Sequence, residues 1–123
     1  MIDHVSIPVT DLKSAELFYS SVLSKIGYGI LKRAPGTIGY GKKYPEFWLN
    51  ERPSLVRDTI NDGFHVCLRT SSTESVVEFY RAAIENGGIA DSEPGYRAEY
   101  TQNYYAAFVK DLDSNKIEVV TFT

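Results

Sequence analysis

The sequence predicts an α+β fold: two tandem βαβββ modules forming a curved mixed sheet with a concave site. Two observations carry this. First, the chain nearly repeats itself. Asp3-His4-Val5, Phe18-Tyr19 and Gly27 recur as Phe64-His65-Val66, Phe79-Tyr80 and Gly88, with His4 and His65, Phe18 and Phe79, and Gly27 and Gly88 each 61 residues apart. A period of half the chain indicates one duplicated domain and not a solenoid. Second, each half opens on strand-like alternation, passes into helical spacing, and ends in short strand-like runs. A length of 123 residues suits one domain with a single core. The expected layout is module 1 over about 1–50, a linker over 51–62, and module 2 over about 63–123.

The elements follow in order. Residues 2–9 alternate, with Val5, Ile7 and Val9 on one face and His4, Ser6 and Pro8 on the other, which is a strand with one buried face. Thr10 or Asp11 then caps a helix. Its apolar residues (Leu12, Ala15, Phe18, Tyr19, Val22, Leu23, Ile26) recur at spacings of three and four, and Gly27 stops it. Three short strands are expected at 28–33, 37–41 and 46–50, separated by Pro35-Gly36 and a turn over 42–45. The polar run over 51–62 links the halves. In the second half, His65, Cys67 and Arg69 alternate with Val66 and Leu68. Ser71, Ser72 or Thr73 caps a helix carrying Val76, Val77, Phe79, Tyr80, Ala83 and Ile84, and Asn86-Gly87-Gly88 ends it. A short strand near 89–92, a turn at Glu93-Pro94-Gly95, and strands at 104–110 and 116–122 complete the module.

Composition narrows the function. Net charge is −3 and no basic stripe runs along the chain, so nucleic acid is not an expected partner. No apolar run reaches the ~20 residues that span a bilayer. The chain starts Met1-Ile2-Asp3-His4 without a basic-then-apolar leader, and its single cysteine cannot form an internal disulfide. The expected compartment is therefore reducing and cytoplasmic.

Side-chain alternation places the candidate chemistry. Val5, Ile7 and Val9 pack beneath the first helix, which sends His4 and Ser6 to the concave face. Val66 and Leu68 do the same in the second module and send His65, Cys67 and Arg69 there. In the last strand, Ile117 and Val119 pack inward, so Glu118 joins the concave face. The chain's only two histidines thus occupy equivalent positions. Two imidazoles and a carboxylate suit a divalent metal with open coordination positions. A single histidine near a strand start is more often a hydrogen-bonded structural residue; the equivalence of the pair strengthens the ligand reading. Among the others, Tyr104 and Tyr105 alternate faces, so one of them lines the hollow. Arg97 can clamp an anion or remain solvated. Cys67 reads better as a small hydrophobe than as a nucleophile. Trp48 is a stacking wall or core filling.

In order and spacing, several segments resemble the glyoxalase / bleomycin-resistance / extradiol-dioxygenase superfamily, the vicinal oxygen chelate proteins. They are the run from Asp3 to Asp11, Phe18-Tyr19, Gly63-Phe64-His65-Val66, Phe79-Tyr80 with Gly87-Gly88, and the run from Asp111 to Glu118. The resemblance covers the whole chain. It implies paired βαβββ modules, a divalent metal ion (Ni, Mn, Fe, Zn or Co) in the concavity, a small-molecule substrate, and a homodimer in which modules of two chains can complete each hollow. Ligands in the superfamily lie on the first and last strands of each module, which carries His4, His65 and Glu118 over. The fourth position departs: Trp48 stands opposite Glu118 and cannot bind a cation. Glu46 is on the same face two residues away and is the remaining acidic candidate for a general base. The turn Asp111-Leu112-Asp113-Ser114-Asn115 departs from the family's Asp-Pro-Asp-Gly-Asn.

Three ligands resemble two branches. Extradiol dioxygenases need a further histidine for proton transfer, where this chain offers Tyr104 or Tyr105. Fosfomycin-type thiol transferases place a hydroxyl two residues after the first histidine, where this chain has Ser6. The resemblance therefore implies a metal-dependent enzyme of lyase or isomerase, thiol-transferase or dioxygenase type, using Glu118, Glu46 and Tyr105 in catalysis. Ser6, Trp48, Cys67, Arg97 and Tyr104 would contact substrate. The rival expectation is a non-catalytic, drug-sequestering binder that needs no metal.

Overall fold

A computed structural model describes residues 1–57 and 63–123. The chain runs β1 (Val5–Val9), α1 (Leu12–Ser24), β2 (Gly29–Ala34), β3 (Thr37–Gly41), β4 (Pro45–Glu51), β5 (His65–Arg69), α2 (Thr73–Glu85), β6 (Ile89–Tyr96), β7 (Tyr104–Lys110) and β8 (Lys116–Phe122). The tandem βαβββ arrangement is as expected. Residues 58–62 of the expected linker lie outside the described residues.

Each helix begins where a side-chain oxygen meets its free N–H groups. Asp11 accepts from the Ser14 amide at 3.3 Å, and Glu51 at the end of β4 accepts from the Leu12 amide at 2.9 Å. Ser72 accepts from the Ser75 amide at 3.1 Å. Gly27 (φ 84°) and Gly87 (φ 95°) then turn the chain out of the two helices.

The four strands of each module form their own mixed sheet, in the orders β1-β4-β3-β2 and β5-β8-β7-β6. In each, the first strand runs parallel to the last and the other pairs are antiparallel. The curved surface is thus two four-stranded sheets, with β1 and β5 as edge strands. Their registers match: Ser6 lies opposite Trp48, and Cys67 opposite Glu118. Position 48 is therefore the internal counterpart of position 118, as the sequence alignment of the halves expected.

One element differs from the sequence reading. Glu93-Pro94-Gly95, expected as a turn, lies inside β6, which pairs with β7 through two register shifts. β6 is an edge strand, so the missing N–H of Pro94 interrupts no second ladder.

The core is one cluster spanning both modules. It joins Phe18, Tyr19, Val22 and Leu23 of α1 to Phe79, Ala82 and Ala83 of α2. The approach is tight at Gly88, where a Cβ would stand 2.9 Å from the Phe18 ring and 2.8 Å from the Ala83 carbonyl. Polar contacts also cross between modules. Tyr19 donates to Asp111 at 2.5 Å, Thr10 to Asp113 at 2.6 Å, and the Asn115 amide to the Pro8 carbonyl at 2.9 Å. The acidic β7–β8 turn is consumed by these bonds and by the Asp113 and Asn115 backbone amides, which bond Asp111. Among the described residues, no helix is long and apolar enough to cross a membrane.

Candidate functional site

The parallel register of β5 and β8 brings two predicted ligands together. His65 opens β5, Glu118 lies mid-way along β8, and His65 Nε2 stands 3.1 Å from Glu118 Oε1. The other carboxylate oxygen, Oε2, accepts a short hydrogen bond from the Tyr104 hydroxyl. Glu118 is only 4% exposed, and among the described residues no lysine or arginine pairs with it. Burying a carboxylate without a lysine or arginine partner is costly, which the His65 and Tyr104 contacts offset in part.

These groups line a cavity of about 560 Å³. Phe108, opposite Glu118 across the β7–β8 ladder, forms its floor and meets the His65 ring edge-on at 5.7 Å. Lys116, paired to Asp91 at 3.1 Å, and Arg97 also line it. Tyr100 stacks edge-on against Tyr104 at 5.2 Å. Phe108, Lys116, Asp91 and Tyr100 were not singled out in the sequence. The signal for the first two was present, since Lys116 is two residues from Glu118 and Phe108 has the parity of Tyr104.

Two groups beside Glu118 hold their protons: Cys67, opposite it on β5, and Tyr104. Burial, reinforced by the Glu118 charge, pushes the Cys67 thiol up to about 12. Cys67 is exposed on β5 and is therefore not the small buried hydrophobe expected, but its sulfur stays a thiol. Burial and the bond to Glu118 raise the Tyr104 hydroxyl well above the usual tyrosine range.

His4 lies elsewhere. Its Nδ1 meets Asp3 at 2.7 Å, and it lines a second cavity of about 330 Å³ with Glu46, Tyr28, Tyr44 and Arg69. Glu46 accepts from the Tyr28 hydroxyl at 2.7 Å, and burial and that bond push Tyr28 up to about 12. The expected meeting of His4, His65 and Glu118 in one hollow therefore does not occur within one chain. Among the described residues no three His, Cys, Asp or Glu side chains gather as a metal site. The reason is topological: His4 and His65 head edge strands of separate sheets.

The remaining residues divide by strand parity. Tyr105, expected in catalysis, packs on the helix side against the core, and Tyr104 takes the place beside Glu118. Ser6 is exposed on β1, away from the His65–Glu118 cavity. Trp48 is half-buried on the face of β4 that also holds Glu46. Its indole covers Gly39, where a Cβ would stand 2.9 Å from the ring. Gly39 pairs with Trp48 as Phe108 pairs with Glu118. Module 1 thus has an indole over bare backbone where module 2 has a carboxylate beside a phenyl ring.

The donor set fits half of a divalent-metal site. His65 and Glu118, 3.1 Å apart, are donors of the kinds a divalent ion would take. One imidazole and one carboxylate leave the set short of a third protein donor.

No protein-family model matches the sequence, and no curated protein matches it. Solved structures do. A glyoxalase/bleomycin resistance protein from Albidiferax ferrireducens T118 matches with a TM-score of 0.82 at 28% identity, over 96% of this chain and 95% of that one. A glyoxalase/bleomycin resistance protein/dioxygenase family enzyme from Burkholderia phytofirmans PsJN matches with a TM-score of 0.75 at 19% identity, over 99% and 98%. A mutant of the fosfomycin resistance protein FosX from Listeria monocytogenes, complexed with Mn(II) and 1S,2S-dihydroxypropylphosphonic acid, matches with a TM-score of 0.72 at 15% identity, over 100% and 90%. The chain has the glyoxalase/bleomycin-resistance/dioxygenase fold, so the superfamily resemblance seen in the sequence holds in three dimensions.

Proposed function

We propose that the protein is a divalent-metal-dependent small-molecule enzyme of the vicinal oxygen chelate type, working as a homodimer. His65 and Glu118 of one chain and His4 of a second copy hold the ion. The observation that carries this reading is Glu118: a buried carboxylate lining a cavity, with an imidazole at 3.1 Å and, among the described residues, no lysine or arginine paired with it. The separation of His4 from the His65–Glu118 pair supports the second copy, since one chain alone does not complete the donor set. The Mn(II) in the FosX complex supports the choice of a divalent ion.

An ion held by these residues would supply Lewis acidity to neighbouring oxygens of a bound substrate. The chain's own residues do the rest. Tyr104 keeps its proton and donates it in a hydrogen bond to Glu118 Oε2, which fixes the carboxylate's orientation. Phe108 forms an apolar floor that excludes water beneath the substrate. Cys67 remains a neutral thiol and forms no covalent intermediate. Glu46, bonded to Tyr28 and lining the same cavity as His4, is the candidate proton acceptor brought by the second chain.

Subunit mixing tests this. His4→Ala and His65→Ala each lose Mn(II) binding, measured by calorimetry. Equal mixtures, dissociated and reassociated, regain about one quarter of the wild-type capacity, because half the dimers are mixed and each has one intact site. Mixtures that stay at the single-variant level refute the shared site. Single variants that bind Mn(II) like wild type leave the non-catalytic binder as the reading.

A further inference from the structure

Arg97 is a cation without an anion. It is half-buried near the end of the β6–β7 hairpin and lines the cavity that holds His65 and Glu118. Its Nη2 points to three oxygens: Ser92 Oγ at 2.8 Å, the Glu93 carbonyl at 2.7 Å and the Ala106 carbonyl at 3.2 Å. All three acceptors are neutral, and one NH2 group carries only two hydrogens for them. This anchors one corner of the guanidinium and leaves the Nη1 and Nε hydrogens without acceptors among the described residues. Part-buried charges in folded proteins are ordinarily paired.

The other charges of the cavity do not supply the partner. Asp91 is taken by Lys116 at 3.1 Å. Glu118 is taken by His65 and Tyr104. Glu99 is exposed and forms no ion pair with Arg97. Phe108 is the common neighbour: its ring lies 5.7 Å from the His65 ring, 5.0 Å from Lys116 Nζ and 6.0 Å from Arg97 Cζ. The guanidinium and the His65–Glu118 pair therefore flank one aromatic floor, within reach of a single small molecule.

We propose that Arg97 is the anchor for an anionic group, a carboxylate or a phosphoryl or phosphonyl group, of the molecule whose other end lies at His65 and Glu118. The fixed planar fork presents two N–H donors in the geometry that such oxygens accept. The substrate class is accordingly a small organic acid with a flat or apolar segment to lie on Phe108. This rests on the proposed function for the chemistry at the far end; the anion contact itself does not.

Phenylphosphonate is a suitable probe, with dimethyl phenylphosphonate as its neutral counterpart. Calorimetric or NMR titrations are made with EDTA and again with Mn(II). Wild type should bind the anion at least tenfold more tightly than the neutral ester under both conditions. Arg97→Gln should lose at least tenfold for the anion, change little for the ester, and keep wild-type Mn(II) affinity. Arg97→Lys retains the charge but not the fork and should fall between, so it decides the matter if the Gln variant fails to fold. Anion affinity within twofold of wild type in the Gln or Lys variant, or equal binding of anion and ester by wild type, overturns the proposal. His65→Ala separates the two readings: it should lose Mn(II) yet keep the Arg97-dependent preference. Should wild type bind no Mn(II) yet keep that preference, the metal reading falls and the anion anchor stands.

Discussion

Tyr19→Phe removes one oxygen from the seam between the modules, and the structure sets its cost. The hydroxyl donates to Asp111 Oδ2 at 2.5 Å; Tyr19 is 1% exposed and Asp111 3%. Water has no access to replace the lost donor. A hydrogen bond to an ionised group contributes about 1.5–3 kcal/mol, and short, buried geometry puts this one in the upper part of that range. For a domain of this size that corresponds to a melting temperature lower by about 5–10 °C. The effect also has a pH signature. Burial raises the Asp111 pKa above the usual aspartate value, against the opposing hydrogen bonds from Tyr19 and Asn115. A carboxyl whose folded pKa is raised contributes most stability below its unfolded pKa, and that contribution is lost as pH rises through the folded pKa. Removing the Tyr19 donor raises the folded pKa further. The variant's deficit should be largest at pH 7 and shrink on acidification through the carboxylate range. Thermal melts of both proteins at several pH values measure it. A variant that melts within 1 °C of wild type at pH 7, or a deficit that grows in acid, refutes the argument.

The remaining predictions concern the site. Mn(II) at a hundredfold excess over its Kd should stabilise wild type by about 2.7 kcal/mol, and Glu118→Gln should show no metal-induced rise in melting temperature. Light scattering should report a dimer at micromolar concentration; a monomer near 13.8 kDa counts against the shared site. Cys67, with its thiol pushed up to about 12, should react with iodoacetamide at pH 8 far more slowly than a free thiol, and Glu118→Gln should accelerate it. Gly39→Ala places a methyl 2.9 Å from both Pro45 and the Trp48 ring, and chemical denaturation should show a loss of about 1–3 kcal/mol.

The fold was legible because periodicity within each element decided it. Leu12–Ser24 and Thr73–Glu85 begin and end 61 residues apart, the offset of the sequence repeat. The His65–Glu118 pair was legible too, since strand parity alone puts both on one face. Parity does not say which of two adjacent tyrosines shares that face. The pairing of Phe108 with Glu118 settles it for Tyr104, and that register is a property of two strands together. The place of His4 depends on how two separate sheets are set against each other, and no spacing along the chain encodes that. Pro94 signalled a turn because proline breaks ladders, but an edge strand has only one ladder to break.

The pairing of Trp48 with Gly39 bears on how such a chain can change. In a duplicated domain the two halves can diverge at equivalent positions, and 48 and 118 have done so. The indole fits only over a backbone without a Cβ, so loss of bulk at 39 had to precede the tryptophan or accompany it. The way back is closed in the same manner. A carboxylate restored at 48 alone leaves empty the space above Gly39, and a side chain restored at 39 alone strikes the ring. Each single step passes through a less stable protein, so drift seldom undoes the pair. The first module is held by this ratchet at positions 39 and 48, while substitutions around His65 and Glu118 in the second face no such constraint from position 39.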